Sequence, residues 1–438
     1  DALPIWSLLL GGFVALVLIG LSASIAAVAA RRGKLPQQVL SRATFGVTGN
    51  LVPALALTLG KIVALATMLL LLAQSVFVML PNANLPAKYE FAFVGVPVAL
   101  PVVPLIAYVL AFLAFGFSFV KGRALSGIRV FATSLTLALI ALAITLGETV
   151  GGASYRANLT FDTGQALGLA SSLLIIFALL WGSTASDENT RIRSGTVGAK
   201  IVAAGILNWI VMGTLSLIAG FIAQSLTWGN PPTNLIALLA SALFVFAVAT
   251  VVSQTTSASA GIRIKNPSVG ITLIVILLAT IAAGFMFDRL GTDGIWFNLI
   301  GYLPVVGVPV VAWLGIFCSD VVLRRVNYHG VSLERNYGFY RSWNLMNVFG
   351  WLTISALGLG LISSSLPEFA WTGYLATLVP LNTVALTSNI GVWVALILGF
   401  IWPLATGIPR IRAQEVEVSA LEARRAELKD VSISGEFA

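Results

Sequence analysis

Residues 165–193 read QALGLASSLLIIFALLWGSTASDENTRIR, and this stretch decides how the rest of the chain is interpreted. Its first half carries Leu, Ile, Phe and Ala on every face, as a helix surrounded by lipid does. At Trp181-Gly182-Ser183-Thr184 it becomes aromatic, flexible and hydroxyl-rich. Interrupted membrane helices persist only where their backbone faces protein or a cavity. The stretch therefore predicts either a broken membrane helix beside a flat polar ligand, or an intact one with an interfacial Trp and a serine-rich end.

The composition indicates an all-α polytopic membrane protein. The chain has 438 residues, of which 58% are hydrophobic and 10% charged, and its mean hydropathy is +0.97. Soluble domains do not reach these values. The single Cys318 and the single His329 exclude a disulfide framework, a Cys/His zinc site and a histidine-centred relay.

Eleven apolar segments are long enough to span a bilayer. Basic residues collect in every second loop, and the opposite loops hold only Lys88, Arg156 and Arg289. The positive-inside rule places the basic loops and the C-terminus in the cytoplasm of a multi-pass protein of the plasma (inner) membrane. The net charge of +8 is therefore a topology signal, and we expect no nucleic-acid partner. The predicted spans are 5–30, 51–80, 94–118, 130–149, 165–186, 197–225, 234–260, 268–287, 297–322, 345–365 and 388–407.

The two ends of the chain complete the predicted organisation. The loop charges put Asp1 outside, and the chain begins without Met or a signal-peptide pattern, so we expect one further span upstream and twelve in all. Residues 1–407 are predicted to be a single transmembrane domain. Residues 408–438 are predicted to be a cytoplasmic tail, in which EVEVSALEARRAELKD (415–430) indicates a short charged helix.

Lys61 lies about ten residues into the second predicted span. Inserting an ammonium near mid-membrane costs about 2.5–3.5 kcal/mol, which favours a role in ligand or ion contact, or as a fixed positive charge that replaces a bound cation. The other interpretation is that Lys61 reaches back to the cytoplasmic interface.

Two further polar groups interrupt apolar segments. The seventh predicted span ends in TVVSQTTSASAGIRIK (250–265), whose hydroxyl and amide groups suit a monovalent cation or a polar ligand, or serve helix packing through small residues. Asp320 lies one turn before Arg324 near the end of the ninth span. That spacing predicts a solvated i,i+4 pair at the helix end.

Four motifs follow one another along the chain in a recognisable order. Residues 36–53 read PQQVLSRATFGVTGNLVP, residues 181–191 contain W-x5-D-x3-R, and residues 304–325 contain P-x-x-G followed by Asp and paired Arg. A fourth group comprises Tyr337, Gly338, Trp343 and Asn344. Together they resemble the nucleobase:cation symporters, the group of purine–cytosine permeases and hydantoin or allantoin transporters. The resemblance covers residues 5–407, although the last Asn–Trp pair is reversed here.

This resemblance implies a LeuT-type fold, in which two inverted five-helix repeats are followed by two additional helices and the substrate binds near the midplane. Span one here would be the family's second helix, and the family's first broken helix would then be absent from this chain. Span 165–186 would be the other broken helix. Trp181, Gly182 and Ser183 would then lie near the substrate, with Trp181 as a stacking platform.

The resemblance also implies roles for other residues, with some departures. Ser253 and Gln254 match the cation-site positions of the family's eighth helix, and Ser259 stands where the family often uses Asn to contact the ligand. Ala64 and Met68 stand where the third helix usually carries Trp and Gln. Lys61, one turn earlier, would make the coupling ion a proton or abolish coupling.

The leading prediction is a secondary-active transporter that imports a nucleobase or related planar nitrogen heterocycle with sodium or protons by alternating access. Asp187 or Glu188 would pair with Arg191 to close the cytoplasmic side. An amino-acid permease on the same fold and a transport-inactive receptor or structural protein are the alternatives. We expect no enzyme, because only Lys61 is a clearly buried titratable group, and no cofactor beyond the coupling ion. The sequence does not predict the oligomeric state.

Overall fold

The computed structural model describes most of the first helix and loop, one pair of strands, the middle of the interrupted stretch and nearly all of the C-terminal third of the chain. The described residues are 5–60, 62–63, 66, 88–93, 96–101, 109, 162–179, 198–207, 210, 274, 277–278, 281–282, 295–335, 338–364, 366–378 and 383–434.

Twelve helices are described over these residues. A short 3-10 turn, Pro367–Phe369, lies between the ninth and tenth of them. The helices are α1 (Ile5–Gly33), α2 (Gln37–Leu40), α3 (Arg42–Phe45), α4 (Leu51–Gly60), α5 (Thr163–Phe177), α6 (Gly198–Leu207), α7 (Ile295–Leu323), α8 (Gly330–Glu334), α9 (Leu345–Gly360), α10 (Thr383–Thr387), α11 (Ile390–Thr406) and α12 (Ile408–Ser434).

The predicted span 94–118 is wrong in its first residues. Strands β1 (Lys88–Phe93) and β2 (Val96–Pro101) pair antiparallel, with Phe93 opposite Val96 and Lys88 opposite Pro101. Proline has no N–H for a helical hydrogen bond, and it disfavours the helical conformation of the residue before it. Pro97 and Pro101 therefore favour extended backbone in a segment whose apolar composition alone suggested a helix.

Among the described helices, two are long and apolar enough to cross a membrane, namely Leu10–Gly33 and Gly301–Leu323. A third span is counted if Ile390–Thr406 is taken together with the helix after it, from which it is bent by 63°. Predicted spans 5–30, 297–322, 345–365 and 388–407 coincide with α1, α7, α9 and α11, and span 165–186 begins with α5. Spans 130–149 and 234–260 lie outside the described residues.

Helix α7 lies at the centre of the described part, where α1, α5, α9 and α11 pack around it. Trp313 and Phe317 of α7 are fully buried, and their rings stack with centroids 5.4 Å apart. The backbone of α7 approaches that of α11 closely. A Cβ atom at Gly315 would lie 2.7 Å from the carbonyl oxygen of Leu396, and one at Gly399 would lie 2.7 Å from that of Ala312. Two glycines facing each other's backbone therefore set the distance between these helices.

Helix α12 continues the chain after the bend and has two unlike halves. Ile411, Gln414 and Val418 are buried at helical spacing, so the first three turns are docked against the rest of the protein. From Ser419 to Glu427 every residue is exposed. The predicted charged helix is confirmed, but it is longer than residues 415–430 and its first turns are part of the packed structure.

Candidate functional site

Helix α5 supplies the first half of the predicted broken helix. Asp162 caps it, because its side chain accepts hydrogen bonds from the backbone N–H of Gly164 (2.8 Å) and Gln165 (3.3 Å). The α-helix ends at Phe177 and widens into a π-type turn at Ala178 and Leu179. Such turns occur mostly as local irregularities and frequently at functional sites. The irregularity thus lies directly before the predicted break.

The π-type turn meets two other helices. A Cβ atom at Gly60 would lie 2.9 Å from the Leu179 side chain, 3.3 Å from Val306 and 3.4 Å from Val310. The end of α4, the end of α5 and the middle of α7 therefore form one three-helix junction. In the sequence Gly60 directly precedes Lys61, and Leu179 lies two residues before Trp181.

Every residue predicted to contact a substrate or ion, or to act as a gate, lies outside the described residues. Their roles stay predictions, while the described junction shows where α4 and α5 lead. These residues are Lys61, Ala64, Met68, Trp181, Gly182, Ser183, Asp187, Glu188, Arg191, Ser253, Gln254 and Ser259.

The prediction that Asp320 and Arg324 form a solvated pair is wrong, because their exposed fractions are 0% and 3%. Arg324 Nε donates to Asp320 Oδ2 at 2.6 Å, and Arg410 Nη2 of α12 donates to Asp320 Oδ1 at 2.5 Å. Gln414 Oε1 accepts from Arg324 Nη2 at 2.6 Å. The carbonyl oxygen of Ala43 accepts from Arg410 Nη1 at 2.6 Å. We call these five residues the Asp320 cluster.

The C-terminal end of α7 receives additional contacts around this cluster. Arg32 of α1 donates through Nη1 to the carbonyl oxygens of Val321 (3.0 Å) and Arg324 (2.7 Å). Carbonyl groups at the end of a helix lack partners within that helix and are satisfied from outside it. The Glu415 carboxylate accepts from the backbone N–H groups of Arg325 and Val326. Three segments far apart in sequence thus satisfy the polar groups at the C-terminal end of α7. We call this end of the bundle, with the Asp320 cluster and the residues that contact it, the basic end.

Burial and charge act against each other at the basic end. Burial alone would lower the pKa of the Arg324 guanidinium, but Asp320 raises that pKa above its ordinary value. The Tyr328 ring lies under the guanidinium, 5.1 Å from ring centroid to Cζ, in the geometry of a cation–π contact. Burial raises the pKa of Tyr328, although Arg324 opposes this shift. Arg324 is therefore charged and Tyr328 neutral at physiological pH.

Two of the sequence motifs pack against each other. The backbone N–H of Val47 donates to the carbonyl oxygen of Arg341 (3.0 Å), and that of Asn344 donates to Phe45 (3.0 Å). Gly46 has φ +93°, and a Cβ there would lie 2.6 Å from the carbonyl oxygen of Ser342. The glycine of the first-loop motif is thus required for backbone contact. Tyr337 of the fourth motif lies outside the described residues.

The predicted fold class, an all-α polytopic membrane protein with the LeuT-type fold, is confirmed by likeness to solved transporter structures, with one strand pair as a local exception. The structure is similar to that of Mhp1, a nucleobase-cation-symport-1 family transporter, in a closed conformation with bromovinylhydantoin bound. The TM-score is 0.66 at 14% identity, over 94% of this chain and 87% of that one.

Two other solved structures are similar at lower scores. Inward-facing Mhp1 gives a TM-score of 0.59 at 15% identity, over 94% of this chain and 84% of that one. A manganese transporter from Eremococcus coleocola, in complex with an aromatic bis-isothiourea substituted compound, gives 0.51 at 11% identity over 94% and 90%. No protein-family model matches the chain, and no curated protein matches its sequence.

Proposed function

We propose that this protein is a secondary-active transporter of the nucleobase:cation symporter type, which takes up a nucleobase or related nitrogen heterocycle with sodium or protons. The observation that carries the proposal is the fold likeness to Mhp1 over 94% of the chain, with α5 leading through a π-type turn to the predicted break at Trp181. The motifs of residues 36–53 and 304–325, which resemble the same family, support it.

The proposed substrate site begins at the three-helix junction. Trp181 would stack on the heterocycle, and Gly182 would let the ligand approach the backbone. Ser183 and Ser259 would offer hydrogen bonds to its polar edge, and Ala64 and Met68 would line the opposite side. A planar heterocycle is the favoured class because an indole ring stacks well on flat π systems. The Mhp1 structure contains bromovinylhydantoin, which is consistent with that class.

The proposed mechanism is alternating access around this site. Ser253 and Gln254 would coordinate the coupling ion, and Arg191 with Asp187 or Glu188 would close the side that we place in the cytoplasm. We propose a plasma (inner) membrane location with the C-terminus inside, because the basic loops all fall on that side. The lipid bilayer and the small-molecule substrate are the proposed partners.

Trp181→Ala is expected to weaken heterocycle binding by about 1–3 kcal/mol, the range measured for base–aromatic stacking, or about 5- to 150-fold in Kd. The measurement is the ligand-induced thermal shift of purified full-length protein across nucleobases, hydantoins and amino acids, with and without sodium. Manganese is included because manganese transporters share the fold. A heterocycle shift that grows with sodium supports a sodium symporter.

The matched control is Trp371→Ala, because Trp371 is an exposed tryptophan far in sequence from the junction. It should bind the same ligand as the unsubstituted protein does. Equal losses in the two variants would remove Trp181 from the site. A shift with amino acids alone would replace the proposed substrate class. A ligand that gives a shift but is not taken up by the full-length protein would favour the transport-inactive receptor over the transporter.

Proton coupling is the alternative to a sodium ion at Ser253 and Gln254, and under that alternative the Lys61 ammonium supplies positive charge where the ion would lie. Lys61→Met is then expected to alter ion dependence more than substrate affinity. In the unsubstituted protein, initial uptake rates should then vary with pH and little with sodium. In the variant the pH dependence should be lost. The measurement is uptake into vesicles at several pH values, with sodium or choline.

Lys200→Met is the control, because Lys200 is exposed on α6 and the substitution changes charge and shape identically. Normal uptake and unchanged ion dependence in Lys61→Met would count against both effects proposed for this lysine, namely proton coupling and the loss of coupling.

A further inference from the structure

The first three turns of α12 complete a polar cluster that the other described residues leave half satisfied. Asp320 has two carboxylate oxygens. Oδ2 is held by Arg324, the residue directly after α7, whereas Oδ1 is held by Arg410 of α12. A buried carboxylate needs partners for both oxygens. Without α12, Arg324 would be the one partner that the described residues leave to the Asp320 carboxylate.

Arg410 also joins α7 to the α2–α3 segment (residues 37–45). One nitrogen donates to Asp320 and the other to the carbonyl oxygen of Ala43, so a single guanidinium bridges the two elements. Gln414 makes a parallel bridge, since its Oε1 accepts from Arg324 and its Nε2 lies 3.4 Å from the same Ala43 oxygen. The planar fork of arginine suits such double contacts better than a lysine ammonium.

Apolar packing continues this attachment on the same face of α12. Ile411 and Val418 are buried on either side of Gln414. Their burial stabilises the docked turns through removal of apolar surface from water, without directional contacts. Residues 419–427, which follow directly, are all exposed, so the docked part of α12 ends at Val418. Arg412, between Arg410 and Gln414, is exposed.

We propose that residues 408–418 form a strap that holds the basic end of the bundle closed, with Arg410 as its fastening residue. Opening at this end would require α7 to separate from the α2–α3 segment. The Arg410 bridge resists that separation and adds to the direct contact from Arg324 Nη2 to the Ala43 carbonyl oxygen (3.3 Å). Arg324 keeps one carboxylate oxygen paired when the strap leaves, so release is costly but accessible. The inference concerns the strap itself and does not depend on which solute the protein carries.

The test is hydrogen–deuterium exchange on the full-length protein in detergent or nanodiscs, without ligand. Arg410→Gln is expected to raise exchange rates about tenfold in residues 408–418 and also in residues 37–45 and 324–328. Gln414→Ala should give the same pattern with a smaller increase. Arg410→Lys should exchange at rates between those of Arg410→Gln and the unsubstituted protein. The lysine ammonium keeps the positive charge but does not reproduce the two contacts of the arginine fork.

Arg412→Gln is the matched control, since it removes the same charge from the same turn without touching the cluster. Its exchange should equal that of the unsubstituted protein. Faster exchange confined to residues 408–418 in Arg410→Gln would show a passive appendage and overturn the proposal. No change in any segment would show that Ile411 and Val418 suffice, and would overturn it as well.

Discussion

Asp320→Asn is expected to lower the free energy of unfolding by about 3–5 kcal/mol, as breaking a buried ion pair from one side does. The substitution leaves the Arg324 guanidinium, which is 3% exposed, with no anionic partner among the residues that the structure describes. It also leaves Arg410 facing a neutral amide. The measurement is the apparent melting temperature and denaturant midpoint of the purified protein, which should both fall.

Two comparisons make this expectation specific. Glu422→Gln removes an acidic charge from the exposed half of α12 and should change stability by less than about 0.5 kcal/mol. The double variant Asp320→Asn with Arg324→Met should be more stable than Asp320→Asn alone, because it removes the uncompensated buried charge. If Asp320→Asn melts like Glu422→Gln, the cluster does not stabilise the basic end.

Gly315→Ala is expected to destabilise the protein by about 1–3 kcal/mol, the usual cost of overpacking, although alanine favours a helix over glycine by about 1 kcal/mol. The added methyl would lie 2.7 Å from the carbonyl oxygen of Leu396 and 3.1 Å from the carbonyl carbon of Gly399. These are backbone atoms of α11, so a side-chain rotation does not relieve the contact. The two helices must move apart, which opens the packing around Trp313.

Gly198→Ala is the control for this second prediction. Gly198 begins α6, and among the described residues a Cβ there would meet only the Arg31 guanidinium at 3.9 Å. This variant should melt at or slightly above the temperature of the unsubstituted protein, because only helix propensity changes. Both variants are compared by thermal melting in one detergent. Equal melting temperatures would mean that α7 and α11 are not held at the distance described.

The candidate site could be predicted from the sequence only in outline. Apolar composition followed by Trp181-Gly182-Ser183 indicated a helix that breaks, and α5 with its π-type turn leads to that point. The meeting of Gly60 with Leu179 was not predictable, because their contact depends on how α4 and α5 pack on α7. The fit to a ligand depends on such packing, so composition alone predicts a ligand class and leaves its contacts open.

The basic end shows why local spacing misled the prediction. Asp320 and Arg324 have the i,i+4 spacing of a surface pair, and nothing within a few residues signals their burial. The groups that bury them come from Ala43, 281 residues before Arg324, and from Arg410, 90 residues after Asp320. The Arg–carboxylate pairing was visible in the sequence, whereas its desolvation was not.

The sequence by itself determined the helical membrane class, because without water each apolar run must satisfy its own backbone hydrogen bonds within a helix. It also determined where α1, α7, α9 and α11 lie. Only the tertiary structure decided that Pro97 and Pro101 stand in a strand, that two glycines join α7 to α11, and that α12 closes a buried charge cluster. Those outcomes depend on which distant atoms replace water and lipid around each group, and burial of that kind is a property of the assembled bundle.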